Sequence, residues 1–218
     1  MTGPHEGQPL LSAGPELDQA WAAMVMLHGR GATAQDILTL VPELEQPGWT
    51  FLAPQAADAT WYPYPFTAPI EHNEPWLSSA LAVVGEVLVR IAAAGIPSER
   101  TVLLGFSQGA CLTLEFAARN ARRFGGVVGL SGGLIGPDGA ERHDSGSFEG
   151  THAFLGCSDR DPHIPAGRVS HAAGVLEGMG AEVTMVLYPN LDHTVNREEI
   201  EQVRGIMSRL GSFSSQPG

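Results

Sequence analysis

The chain has no lysine. All twelve of its basic residues are arginine, set against 24 aspartates and glutamates, for a formal net charge of −12 over 218 residues. A field of that sign repels phosphate backbones and anionic membranes, and no arginine cluster offsets it, so nucleic acid is excluded as an expected partner. Neutral or cationic small molecules fit better. Cysteine is nearly as scarce: Cys111 and Cys157 are too few for a disulfide framework or, at that spacing, a metal site. Both are expected to pack as small core residues. No unbroken apolar run approaches the ~20 residues of a bilayer span, so stable membrane insertion is not expected. The first fifteen residues lack the basic start and apolar stretch of a signal peptide, which reads as a cytoplasmic protein.

What is present is a chain that is 43% hydrophobic, enough for one sizeable core. Apolar runs alternate with helical periodicity along its length. Strands are expected at Trp21–Leu27, Trp49–Ala53, Thr101–Leu104, Phe124–Leu130, Ala153–Gly156 and Val183–Tyr188. Between them, Thr33 opens a short helix to Leu40. Asn73-Glu74-Pro75 supplies a cap and an early proline for a helix whose face is Leu77, Leu81, Val84, Leu88 and Ile91. Helices are also expected at Ala166–Met179 and Arg197–Leu210, with a polar loop over Gly136–Gly150. Buried runs alternating with helices indicate a mostly parallel sheet covered on both faces. No repeat or linker divides it, so residues 1–218 read as one domain, with 1–15 and 211–218 as loose tails.

Gly105-Phe106-Ser107-Gln108-Gly109 is a G-x-S-x-G pentapeptide. In a chain this rich in glycine, chance would supply it roughly 0.2 times, so context must carry the inference. The run before it is a strand, and Ala110, Cys111, Leu114, Ala117 and Ala118 follow at helical spacing. That strand–turn–helix setting exposes a serine on a sharp corner. A serine hydroxyl becomes nucleophilic only when a base takes its proton, the base being oriented by a carboxylate. Among the histidines after Ser107, His193 lies in a loop between the last strand and the last helix, where an imidazole reaches the sheet's carboxyl edge. His143, His152 and His171 are poorly placed, and His163 sits in the loop that should carry the acid. For that acid, Asp161 before Pro162 is favoured over Asp159, a turn residue. Asp192 adjoins His193 too closely to orient it. The backbone N–H groups of Gln108 and Arg30 are the expected oxyanion donors, while His28 is read as holding its loop.

The four segments His28-Gly29-Arg30-Gly31, Gly105–Gly109, Asp161-Pro162-His163-Ile164-Pro165 and His193-Thr194-Val195 together resemble the phospholipase/carboxylesterase family of α/β-hydrolases, which also contains acyl-protein thioesterases. The similarity runs from about Ala23 to Met207. It implies an α/β-hydrolase fold of about seven mostly parallel strands with minimal or no cap domain. It further implies a Ser107–His193–Asp161 triad and hydrolysis of carboxylic esters or thioesters without cofactor or metal.

Two features depart from that pattern. Arg30 stands where many members carry an apolar residue, either to bind a substrate carboxylate or phosphate or to pair with a surface acid. Between Trp61 and Phe66 lie four aromatics in six residues, stiffened by prolines. This segment is either a wall or lid over the site or a plug at the core edge. With Trp61, Tyr62, Phe66 and Ile164 as pocket candidates, a short, wide acyl site is expected. The expected activity is a carboxylesterase acting on small to medium acyl chains. The alternatives are a long-chain acyl thioesterase or lysophospholipase, and a non-catalytic binder on the same fold. A homodimer is compatible with all three.

Overall fold

The computed structural model describes residues 3–211. Seven strands form one sheet, β1 (Leu10–Ala13), β2 (Ala22–Leu27), β3 (Trp49–Pro54), β4 (Thr101–Phe106), β5 (Gly126–Leu130), β6 (His152–Ser158) and β7 (Glu182–Tyr188), in the spatial order β1-β3-β2-β4-β5-β6-β7. Only β1 runs antiparallel, pairing with β3 from Leu10 opposite Pro54 to Ala13 opposite Phe51. This is the α/β-hydrolase fold, with no cap domain among the described residues.

The central strands β2 and β5 are apolar at every position because both faces of the sheet are covered. In β2 the alternation divides them cleanly. Ala23, Val25 and Leu27 face a core shared with α3 (Trp76–Ala93), α4 (Gln108–Arg119) and α5 (Ala166–Gly178). Ala22, Met24 and Met26 face a second core with α1 (Ala34–Leu38), α2 (Val41–Leu44) and α6 (Arg197–Arg209). Each fully buried Leu, Met or Val contributes about 1.5–3 kcal/mol, so both faces stabilise the sheet.

Three expectations need correction. Residues 3–15 are not a loose tail: β1 is a sheet edge and His5 is 1% exposed, wedged against Trp61 and Trp76. Of the other expected tail, residues 212–218 lie outside the described residues. Asn73 does not cap α3. Its side chain accepts the Tyr64 N–H at 2.8 Å and donates to the Pro65 carbonyl at 3.3 Å, while the Glu74 carboxylate accepts the Ser78 N–H of the first turn at 3.0 Å. Finally, α3 has 18 residues and a mean hydropathy of 1.6, enough to match a membrane span on length and composition alone. Counting unbroken apolar runs missed it because Ser78, Ser79, Glu86 and Arg90 interrupt the sequence. In the fold it is a core helix, with Leu77, Ala80, Val84, Val87, Leu88 and Ile91 buried.

The order in which strands join the sheet reverses between β2, which is followed by its neighbour β3, and β4, which is added on the other side of β2. Loops leaving the carboxyl ends of β2 and β4 therefore diverge and open a crevice. The site lies there.

Candidate active site

Ser107 links β4 to α4 with φ 55° and ψ −119°, a left-handed backbone that a non-glycine residue adopts only under constraint. The constraint comes from close packing. A Cβ on Gly105 would overlap the Gly109 carbonyl, and one on Gly109 would overlap the Leu27 carbonyl of β2. Both glycines are thus required by contact, and the corner is held by Ser107 N–H donating to Leu130 O at 2.9 Å. The helix behind is buried continuously from Gln108 to Ala118.

The structure brings Ser107, His193 and Asp161 into one hydrogen-bonded chain. Ser107 Oγ lies 2.8 Å from His193 Nε2, and His193 Nδ1 lies 2.6 Å from Asp161 Oδ2. With Nδ1–H donating to the carboxylate, Nε2 carries the lone pair that faces the serine. Asp161 is fully employed: its other oxygen accepts the N–H groups of His163 at 2.8 Å and Ile164 at 2.9 Å. Burial pushes this carboxyl upward, but the His193 hydrogen bond and the two amides outweigh it and hold the group below the ordinary carboxylate range. The Asp161 side chain is wholly buried and that of His193 is 19% exposed, so the chain runs from interior to cleft. Asp159 does not make the local turn bond considered for it: its carboxylate accepts the Asn190 N–H at 2.9 Å, from the distant loop that bears His193. The His193 ring is flanked by Phe106 and His163, each with ring centres 5.0 Å away.

On the opposite side, the loop after β2 is fixed by Gly31 N–H to Ala59 O at 2.7 Å and Ala32 N–H to Gly29 O at 3.2 Å. Among the described residues, the N–H groups of Arg30 and Gln108 donate to no protein acceptor. His28 is a scaffold residue. Its Nε2 accepts the Ala56 N–H at 3.1 Å, which leaves the proton on Nδ1 to donate to Gly29 O at 2.8 Å. Burial lowers its pKa.

A cleft of about 560 Å³ opens beside Ser107 and His193. Tyr62, Phe66 and Ile164 line it, with Arg30, Gln108 and Cys111. Trp61, expected in this wall, is not there. It is wholly buried behind the wall, its indole N–H donating to His28 O at 2.9 Å. The aromatic segment thus does both things considered for it: Trp61 plugs the core edge while Tyr62 and Phe66 face the cleft. Cys111, at the cleft floor, is pushed up to about 11 by burial and is no nucleophile at neutral pH.

The Arg30 side chain fills neither role expected of it. Its guanidinium donates to three successive backbone carbonyls, Tyr62 at 2.8 Å, Pro63 at 3.0 Å and Tyr64 at 3.1 Å. The Gln108 side chain reaches the same segment, with Nε2 donating to Tyr62 O at 2.7 Å and Oε1 accepting Trp61 N–H at 2.9 Å. Both clamps escaped the sequence reading because a side chain bonding a distant carbonyl leaves no pattern in spacing. The segment's lack of other regular structure was the only signal, since its carbonyls needed partners. Among the described residues no three or more His, Cys, Asp or Glu side chains are grouped to hold a metal ion.

Comparison with known proteins agrees with this architecture. Residues 15–210 match the family described as Phospholipase/Carboxylesterase. A phospholipase/carboxylesterase from Dyadobacter fermentans superimposes with a TM-score of 0.89 at 45% identity, covering 92% of this chain and 96% of that one. The Bacillus cereus carboxylesterase shares the fold, with a TM-score of 0.72 at 16% identity over 94% of this chain and 96% of that one. In sequence, acyl-protein thioesterase 1 from Gibberella zeae is 31% identical over 124 residues, 53% of this chain and 50% of that protein. The chain thus spans about half the length of that curated relative.

Proposed function

This chain belongs to the phospholipase/carboxylesterase family, and from that premise we propose that it is a serine hydrolase of carboxylic esters with small to medium acyl chains. The observation that carries the reading is the continuous chain Asp161–His193–Ser107, with contacts of 2.6 and 2.8 Å. His193 Nε2 takes the hydroxyl proton as Ser107 Oγ attacks the ester carbonyl carbon. The carbonyl electron pair moves onto oxygen, facing the unpaired amides of Arg30 and Gln108. Collapse of this intermediate breaks the bond to the alcohol oxygen, which receives the proton from the imidazolium. Water then repeats the sequence on the acyl-serine, releasing the acid. Asp161 stays ionised throughout and stabilises the imidazolium.

The cleft supports a bounded acyl group. Cys111, Tyr62 and Phe66, all buried, line it. Likeness to acyl-protein thioesterase 1 favours a second reading, in which the acyl group is carried on sulfur; the same steps apply with a thiolate leaving group.

Ser107→Ala is expected to lower turnover of a short p-nitrophenyl ester by about 10⁶-fold and to abolish labelling by a fluorophosphonate, with the fold intact by circular dichroism. Wild-type protein that fails to label would instead mark a non-catalytic binder. Asp161→Asn is expected to cost about 10⁴-fold in rate, whereas Asp159→Asn retains most activity. Equal losses at the two aspartates would remove Asp161 from its assigned role.

A further inference from the structure

A second cavity, of about 330 Å³, lies against the same histidine. Its walls are Ala32, Ile37 and Leu40 from the loop after β2 and from α1 and its end, with Phe106 and Val195 opposite, and His193 is shared with the larger cleft. The two cavities divide the machinery between them. Ser107, Gln108 and the first turn of α4 line the larger one, whereas the smaller follows His193-Thr194-Val195 and contains none of α4.

Gly29 lines the small cavity and packs beside the nucleophile. A Cβ there would lie 3.4 Å from both Ser107 Cβ and the Phe106 ring. Its backbone is outside the left-handed region, so the conformation does not demand glycine. The missing side chain leaves free the space beside Ser107 and the Phe106 ring that a Cβ would take up. At the rim stands the Asp36 carboxylate, held ionised by the hydroxyl and N–H of Thr33, with hydrogen bonds of 2.7 and 2.8 Å.

Resting on the serine-hydrolase reading above, we propose that this second cavity is the leaving-group subsite, taking an apolar, uncharged or cationic alcohol or thiol while the acyl chain occupies the larger cleft. The chemistry requires such a division. His193 must deliver its Nε2 proton, in the plane of the ring, to the departing heteroatom, so the leaving group has to come within reach of this imidazole, which lines the small cavity as well as the larger cleft. The volume holds on the order of ten non-hydrogen atoms at the ~30 Å³ that a water occupies in the liquid, which suits a benzyl-sized group. An anionic leaving group would meet Asp36 and the net charge of −12.

A matched series of butyrate esters tests the assignment, with methanol, butanol, benzyl alcohol and a carboxylate-bearing benzyl alcohol as leaving groups, followed by pH-stat on the full chain. Ala32→Leu fills the cavity and should lower the benzyl-to-methyl ratio of kcat/KM about tenfold. Leu40→Ala enlarges it and should raise that ratio, which keeps the test alive if the filling variant folds poorly. The preference among methyl esters of varied acyl length should stay within about twofold in both, because neither residue touches the acyl cleft. The anionic alcohol should be the poorest leaving group in the wild type. An unchanged alcohol profile in both variants, or a shift in acyl preference instead, overturns the subsite while leaving the hydrolase reading intact. Absence of ester hydrolysis by the wild type overturns both.

Discussion

Two segments meet at Ser107 and are held by opposite means. The elbow Gly105–Gly109 is fixed by backbone contact: two glycines packed against carbonyls force a serine to φ 55°. The segment from Ala56 to Phe66 also contains left-handed residues, Asp58 and Ala59, yet its shape is set by side chains from elsewhere. His5, His28, Arg30, Asn73 and Gln108 all bond its main chain. Steric exclusion of this kind tolerates no substitution, whereas a set of hydrogen bonds fails one member at a time. The elbow should therefore respond to mutation as a switch and the aromatic segment in degrees.

The largest effect is expected at Gly109→Ala. Its Cβ would overlap backbone of β2 that cannot move without breaking the sheet. A melting temperature lower by roughly 5–10 °C and loss of nearly all esterase activity are expected. Retention of activity would show that the elbow has slack and would dissolve the contrast.

Arg30→Leu tests the other side. It leaves the oxyanion amide in place and removes three hydrogen bonds from a charged but solvent-accessible donor, an interaction worth about 1–2 kcal/mol after screening. The corresponding expectation is a 5- to 30-fold loss in kcat/KM, roughly, with a melting temperature lower by roughly 2–5 °C. Arg30→Lys should recover part of it, because an ammonium cannot span three carbonyls. A loss as complete as that of Gly109→Ala would mean the segment is as unforgiving as the elbow.

The smallest effect is expected from acid. His5 Nδ1 accepts the Ala57 N–H at 3.0 Å and its Nε2–H donates to Trp61 O at 2.9 Å. Burial lowers the pKa of both His5 and His28, against partial opposition from backbone acceptors. Protonation takes away the lone pair that each offers to the segment. A folded pKa below the unfolded value of 6.5 means that the unfolded chain binds more protons in that window. Stability should therefore fall as pH drops below about 6.5, well above the range in which Asp161 takes up its proton. His5→Gln should flatten this part of the profile in chemical denaturation. An unchanged slope would show that the neutral rings do not hold the segment.

The same contrast explains what could be read from sequence. Gly105, Ser107 and Gly109 were legible because the elbow needs them at fixed spacing, although the contact that excludes a Cβ at Gly109 is with distant Leu27. Runs β2 and β4 were legible as buried strands because burial on both faces demands a mostly apolar run. Strand β1 was not. Leu10–Ala13 is four residues long and lies between Pro9 and Gly14, and its pairing with β3 depends on a partner forty residues away. Asn73 was misread because its composition fits a local cap, while the Tyr64 amide and Pro65 carbonyl claimed it first. Arg30 and Trp61 failed for the same reason: local chemistry suggested outward-facing roles, and distant carbonyls supplied others.

The Tyr62 carbonyl accepts from Arg30, Gln108 and Thr60 at 2.8, 2.7 and 3.1 Å. One oxygen thereby joins the wall of the cleft proposed for the acyl group to both residues whose amides are proposed to face the reacting carbonyl. For a lineage under selection, substrate range and turnover then cannot drift separately at this point. A substitution that reshapes the wall is transmitted to the amides, so new acyl preferences should arise here together with losses in rate, and recover through second changes at position 30 or 108.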